Sequence, residues 1–342
     1  MDSRETMPDL AQALRYHGGN INAARRLFPD APEPWIDLST GINPVPYPAG
    51  DLPQATLERL PEPAELAALE AVAARAYGTP IWAETVAAPG TQAVIQWLPH
   101  LIPARRVGII GPTYGEHEKR WRAAGADVVQ TTSLSGLAGC DVGIVVNPNN
   151  PDGRLLPAGD LAETAKSCGA LVVDEAFMEV VHPSASLISE LPHNAVILRS
   201  LGKAYGLPGL RLGFAIAGHD LAAPLRDALG PWAVSAPAIA IGAKALADSA
   251  WLAGAIHRLA EEAERLDALL ARAGMTVIGG TSLFRLAHSR DAGDFARLAQ
   301  AGILVRPFPW ETGLLRFGIP HRPSEWERLE ATLGCSSAIL QR

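Results

Sequence analysis

Between residues 64 and 217, short apolar runs alternate with stretches of helical length, and this rhythm restricts the fold more than any other feature of the chain. The runs at 106–110 and 141–146 are short, apolar and closed by Gly-Pro or Asn-Pro, as buried strands are. Further runs at 127–130, 170–173, 196–198 and 212–217 read as strands, and 64–77, 91–101, 114–124 and 157–168 as helices. In 64–77, Leu66, Leu69, Val72, Ala73 and Ala76 recur at helical spacing. Strands separated by helices pair in parallel through right-handed crossovers, so an α/β domain with a mostly parallel sheet is expected. After residue 218 the pattern changes. Residues 236–273 read as mostly helical, the charged run at 261–265 being a solvated face, and short strands at 276–278, 283–286, 303–306 and 314–317 then alternate with helices at 291–301 and 324–333. This predicts a smaller α+β domain. The expected division is an N-terminal segment over 1–50, a large domain over 51–230 and a small C-terminal domain over 231–342. The proline-dense stretch 29–63 reads as an extended crossing segment.

Length and composition bound the function. The 342 residues suit roughly two domains of about 150 residues each. With 48% apolar and 19% charged residues the chain is not disordered. A net charge of −7 argues against non-specific binding of nucleic acid or an anionic membrane. No apolar run is long enough to span a bilayer, and the first twenty residues show no secretory signal pattern. Cys140, Cys168 and Cys335 are odd in number and widely spaced, which argues against a disulfide framework or a cysteine zinc site and for a reducing, cytoplasmic location. No metal is expected.

Four local patterns carry chemistry. Ser200-Leu201-Gly202-Lys203 follows a buried run and precedes Gly206 and Arg211. Small neighbours let the backbone approach a ligand, and a lysine in a dry site can lose its proton and form a Schiff base. A hydroxyl and a guanidinium around that amine suit a phosphorylated aldehyde. Asp174 closes the apolar run at 170–173, at the sheet edge where open α/β proteins place their sites, and a carboxylate there can hold a pyridinium nitrogen protonated; the plain alternative is a loop aspartate. Asn149 and Asn150, in Pro148-Asn149-Asn150-Pro151-Asp152-Gly153, read either as a simple turn or as a source of an amide donor to a cofactor oxygen. Gly90-Thr91-Gln92 opens a helix, whose N–H groups favour an anion, and neither a P-loop nor a GxGxxG motif is present.

Taken in order, these patterns resemble the fold-type I pyridoxal phosphate enzymes of the class I/II aminotransferase family, and the resemblance covers nearly the whole chain. It implies pyridoxal 5′-phosphate bound covalently to Lys203, with Asp174 on the ring nitrogen, Asn150 on the ring oxygen and towards substrate, and Tyr114 stacked on the ring. Gly90, Thr91, Gln92, Ser200 and Arg211 would hold the phosphate, and Arg316 the substrate carboxylate. The segments Tyr16-His17-Gly18-Gly19-Asn20 and Asp37-Leu38-Ser39-Thr40-Gly41-Ile42-Asn43-Pro44 narrow the likeness to the L-threonine-O-3-phosphate decarboxylases of cobalamin biosynthesis. That group implies a cytoplasmic homodimer acting on a phosphorylated amino acid, with the N-terminal segment joined to the small domain and covering the active site. His17, Gly18, Gly19 and Asn20, with open backbone N–H groups, and Arg306 beside Arg316 would then recognise the substrate's anionic groups.

The chain departs from the family at three points. Gly202 stands where relatives often carry Ser or Thr, Phe177 where aminotransferases often carry a tyrosine, and Leu60 where many relatives place a tyrosine that reaches the partner subunit's phosphate. Phe177 fits a decarboxylase better than a transaminase. The nearest rival is an aminotransferase of the histidinol-phosphate type. A non-catalytic binding protein on the same fold is disfavoured by the intact lysine, aspartate, asparagine and arginine set, and 342 residues leave no room for a DNA-binding domain.

Overall fold

The computed structural model describes residues 18–334. The described residues open with helix α1 (Ile21–Leu27) and the short strand β1 (Ile36–Asp37). It divides into a unit of Met1–Val45 with Ile256–Arg342 and a larger unit of Pro46–Ala255.

The larger unit starts with helices α2 (Ala55–Glu58) and α3 (Pro63–Tyr77). Its strands are β2 (Ala83–Ala88), β3 (Arg106–Ile110), β4 (Asp127–Thr131), β5 (Val142–Val146), β6 (Ala170–Asp174), β7 (Ala195–Ser200) and β8 (Gly213–Gly218). They form one sheet in the order β2-β8-β7-β6-β5-β3-β4. Every pairing from β7 to β4 is parallel, as the alternation predicts. The exception is β8, antiparallel to both β7 and β2. Only a three-residue helical turn, Pro208–Leu210, lies between β7 and β8, and without a crossover helix the chain returns beside its predecessor in the opposite sense.

Helices α4 (Thr91–Leu101), α5 (Glu116–Ala123), α6 (Ala158–Ala165), α7 (His219–Leu229) and α8 (Ala236–Ala247) complete this unit. Strands β5 and β6 are buried at every position, as in a sheet covered on both faces. Alternate residues feed separate cores. Ile109, Ile144 and Val172 join Val94, Ile95 and Trp121 on one face, whereas Ile110, Val145, Leu171 and Val173 join Leu161 and Ile188 on the other.

The helical stretch expected over 236–273 is broken at Asp248, whose carboxylate accepts the Trp251 N–H at 3.0 Å and so caps helix α9 (Ser249–Arg272). The division between units falls within α9 rather than at residue 230. The reason is packing: Ala238, Ile239 and Leu246 of α8 share a core with Leu69, Ala73 and Phe214 of the larger unit.

In the smaller unit, β9 (Thr276–Thr281), β10 (Phe284–His288), helix α10 (Asp294–Gln300), β11 (Ile303–Leu304), β12 (Arg306–Phe308), β13 (Glu311–Gly318) and helix α11 (Pro323–Thr332) follow in order. Strands β12-β13-β10-β9 form an antiparallel sheet. The strand expected over 303–306 is two strands: Ile303–Leu304 pairs in parallel with β1, and Arg306 begins a strand against β13. The β1–β11 pairing ties the N-terminal segment to this unit.

Candidate active site

In the larger unit three strand ends lie side by side, with Val146 of β5 in register with Asp174 of β6, and Asp174 with Leu198 of β7. This is the carboxyl edge of the parallel strands, where open α/β sheets bind ligands. Asp174 is 4% exposed. One of its oxygens accepts the Ala176 N–H at 3.1 Å and the other faces His117 Nε2 at 3.0 Å. His117 is itself buried. It escapes sequence reasoning because nothing in the polar run Glu116-His117-Glu118-Lys119 marks one side chain as turned inward towards a strand 57 positions away.

The asparagine turn divides its labour. Asn147 clasps Leu156 through both backbone groups, at 3.1 and 2.8 Å. Asn149 donates to the Pro112 carbonyl at 3.0 Å and to Asp152 at 2.8 Å, and accepts from Thr113 Oγ1 at 2.6 Å. Those bonds tie the turn to the Pro112-Thr113-Tyr114 segment, and Asn150 stands half-buried at the next position.

A tight cradle forms around Gly90, whose φ of 82° is open to glycine and strained for other residues. A Cβ at Gly90 would lie 2.6 Å from Arg211 Nη2, and one at Gly213 would lie 2.6 Å from the Thr91 nitrogen. Arg211 is held in the left-handed region at φ 51°, with Nη1 donating to the Pro208 carbonyl at 3.0 Å. Backbone and guanidinium thus converge at the N-terminus of α4, and Ser200 stands buried at the end of β7. The donor set fits a phosphate monoester. The Gln92 side chain does not join it: its amide lies between Tyr114 Oη and Glu116, each at 3.1 Å, so only its backbone N–H serves the cradle. Gly202 has a packing reason of its own, since a Cβ there would meet Pro208 Cα at 3.2 Å.

Lys203 Nζ lies 5.3 Å from the centre of the Phe177 ring, which is buried and brings no hydroxyl to this position. Behind these residues a buried ionic cluster braces both strand ends. Arg199, next to Ser200, pairs with Glu175, next to Asp174, at 3.0 Å and with Glu179 at 3.2 Å, and covers the Tyr77 ring at 4.5 Å. Burial raises both carboxyls above their ordinary range, against the pull of Arg199. The guanidinium is itself held above its ordinary value by Glu179 and Glu175, although burial opposes this.

In the smaller unit Arg306 and Arg316 are partners in register across β12 and β13. Arg316 is buried, donates to the Ser39 carbonyl at 2.8 Å and lies 5.0 Å from the centre of the Phe284 ring. Burial holds its guanidinium well below the ordinary arginine range; facing Arg306 adds to this and Asp37 opposes it. Ser39 also receives the N-terminal segment: Gly19 N–H donates to its hydroxyl at 2.7 Å, and Gly18 packs against its carbonyl with no room for a Cβ. Residues 18–20 and Arg316 are thereby brought to one place. The Gly19 N–H, expected to be open to an anion, is used by Ser39, and the Asn20 side chain caps α1 through the Ala23 N–H at 3.0 Å. His17 lies outside the described residues.

The cradle makes a direct prediction. In Gly213→Ala the new methyl meets backbone at Thr91 and Gly90, which must shift. Affinity for pyridoxal phosphate should fall about tenfold, within the 1–3 kcal/mol that overpacking typically costs. Equilibrium dialysis measures it, and unchanged affinity would place the phosphate elsewhere.

Residues 36–332 match the profile of the family described as aminotransferase class I and II. The chain is 44% identical over 320 residues to the threonine-phosphate decarboxylase of a Sinorhizobium species, covering 89% of this chain and 92% of that protein. It is 38% identical over 325 residues to the threonine-phosphate decarboxylase of Pseudomonas aeruginosa, covering 93% and 96%. Among solved structures, the histidinol-phosphate aminotransferase of Sinorhizobium meliloti in complex with pyridoxal-5′-phosphate superposes with a TM-score of 0.78 at 20% identity, covering 97% of each chain. That last likeness concerns the fold alone.

Proposed function

The chain belongs to the class I and II aminotransferase family, and from that premise we propose that it decarboxylates L-threonine O-3-phosphate to (R)-1-amino-2-propanol O-2-phosphate, a step of cobalamin biosynthesis carried out in the cytoplasm. The observation that carries this reading is the likeness to two threonine-phosphate decarboxylases along about nine-tenths of the chain. The enzyme depends on pyridoxal 5′-phosphate. When bound, the cofactor supplies the electron sink for the bond that breaks at the substrate's Cα.

The chain's own groups fit that chemistry. Lys203 would carry the cofactor and, once the substrate amine replaces it, hold the proton exchanged at Cα. Asp174, oriented by His117 and the Ala176 N–H, would keep a proton on the ring nitrogen. Gly90, Thr91, Gln92, Ser200 and Arg211 would take the phosphate, Asn150 the ring oxygen and Tyr114 the ring face. Arg316 and Arg306 would receive the substrate's carboxylate and phosphate, because guanidiniums grip such groups by paired charge-assisted bonds. A homodimer remains our reading, supported by Leu57, Leu60 and Trp232, each more than half exposed, and by a cavity of about 550 Å³ lined by Pro61, Leu66, Trp232 and Ile239.

Purified protein mixed with threonine phosphate should release CO2 with no keto acid present. Stoichiometric amino transfer to 2-oxoglutarate without CO2 would move the enzyme to the aminotransferase reading, which the fold alone supports equally.

A further inference from the structure

The ion pair between Glu175 and Arg199 lies on the face of the sheet opposite the chemistry above. In β6, Val172 packs into one core and Leu171 and Val173 into the other; in β7, Val196 and Leu198 go with Val172, and Ile197 with Val173. By this alternation Asp174 and Ser200 belong to one face, and their chain neighbours Glu175 and Arg199 to the other. The contacts agree. Asp174 faces His117, whereas Glu175 reaches Ser186 and Leu187, and Leu187 shares the core of Val173 and Ile197. The residues assigned to the cofactor's nitrogen and phosphate thus each adjoin one member of the same ion pair.

Glu175 and Glu179 share Arg199 but are held differently. Glu175 is fully buried, and its N–H donates to the Leu198 carbonyl at 2.9 Å. Its Oε1 accepts the Leu187 N–H at 2.8 Å, and its Oε2 accepts from Ser186 Oγ at 2.6 Å and Arg199 Nη1 at 3.0 Å. Glu179 accepts from Arg199 Nε through Oε1 at 3.2 Å, and its Oε2 is buried with no hydrogen-bond partner among the described residues. We propose that Glu175 is a positioning residue for the cofactor: bound to Arg199 across the two strand ends, it fixes Asp174 and Ser200 relative to each other and so sets the contact at the ring nitrogen. This rests on the reading of Asp174 and Ser200 as cofactor-binding residues.

The test compares Glu175→Gln with Glu179→Gln. Glutamine fits at 179, with its oxygen towards Arg199 and its NH2 in place of the unbonded oxygen. At 175 the Leu187 N–H faces one oxygen and the Arg199 guanidinium the other. Neither can accept, so an NH2 in either place meets a donor. The apoprotein's affinity for pyridoxal 5′-phosphate, measured by equilibrium dialysis, should fall about tenfold in Glu175→Gln, the low end for a lost hydrogen bond to a charged group. In Glu179→Gln it should stay at the wild-type value. The pH at which the bound cofactor's visible absorbance titrates should rise in Glu175→Gln alone, because a ring nitrogen that holds its proton less firmly withdraws less charge from the cofactor. Lost folding stability by itself would leave that pH where it is. Should Glu175→Gln fold poorly, Ser186→Ala removes one bond to Glu175 without setting donor against donor, and must move the same titration upward by less. An unmoved titration, or an equal loss of affinity at positions 175 and 179, overturns the proposal. Failure of the decarboxylase reading would appear separately, as a wild type that releases no CO2 while the variants still differ in cofactor affinity and titration.

Discussion

Lys203→Ala should lower turnover of threonine phosphate by on the order of 10⁴-fold, the upper range for a positioned proton-transfer group, and should abolish covalent retention of the cofactor. Borohydride reduction of the wild type should fix the cofactor to the Lys203 peptide and to no other. The sequence makes this a sharp test, since the only other lysines are Lys119, Lys166 and Lys244. Lys119 and Lys166 are paired to Glu116 and Glu163 with side chains 51% and 70% exposed, and Lys244 is exposed on α8. None of them follows a parallel strand end. The variant should keep its melting temperature, because the loop is held by backbone bonds: Leu201 N–H to the Leu212 carbonyl at 3.2 Å, Gly206 N–H to the Lys203 carbonyl at 3.1 Å and Tyr47 N–H to the Tyr205 carbonyl at 2.8 Å. A label on another lysine, or turnover within tenfold of wild type, would remove Lys203 from the mechanism.

The residues proposed for that chemistry stand out in the sequence because each belongs to a short local pattern. A lysine among small residues, an aspartate closing an apolar run and a glycine opening a helix are short-range patterns, and chain order alone assembles them. What the sequence hid depends on contacts between distant positions. His117 reaches Asp174, Arg199 reaches Glu175 and Glu179, and Gln92 joins Tyr114 to Glu116 across separations of 20 to 57 residues. Within the fold, β2 was missed because Ala-Glu-Thr-Val-Ala-Ala has little intrinsic strand preference and becomes a strand by pairing with β8. Helix α7 was missed because Pro224 interrupts its pattern. The N-terminal glycines show the opposite error. His17-Gly18-Gly19-Asn20 reads as a cup of open N–H groups, but tertiary packing uses Gly19 for Ser39 and Asn20 for a helix cap.

Arg306→Ala should reduce kcat/KM for threonine phosphate by about 10- to 150-fold, matching the roughly 1.5–3 kcal/mol of a charge-assisted hydrogen bond, while bound-cofactor absorbance stays as in the wild type. The argument is electrostatic. Like charges directly opposite on an antiparallel pair destabilise a sheet, and here one member of the pair is a buried arginine. Such an arrangement persists where an anion compensates it. Arg316 already donates one bond to the Ser39 carbonyl, and burial together with Arg306 disfavours its charged form, so an anionic ligand would strengthen both guanidiniums at once. Removing Arg306 lowers that repulsion. The variant should therefore melt within a few degrees of wild type despite losing a partly buried side chain, and inorganic phosphate, which should raise the wild-type melting temperature, should raise the variant's less. Arg316→Ala differs in kind, because it also loosens Ser39 and with it the docking of Gly18 and Gly19, so its loss in kcat/KM should come with a lower melting temperature. Equal responses to phosphate in wild type and Arg306→Ala, with kcat/KM unchanged, would take the substrate's phosphate away from this pair of strands.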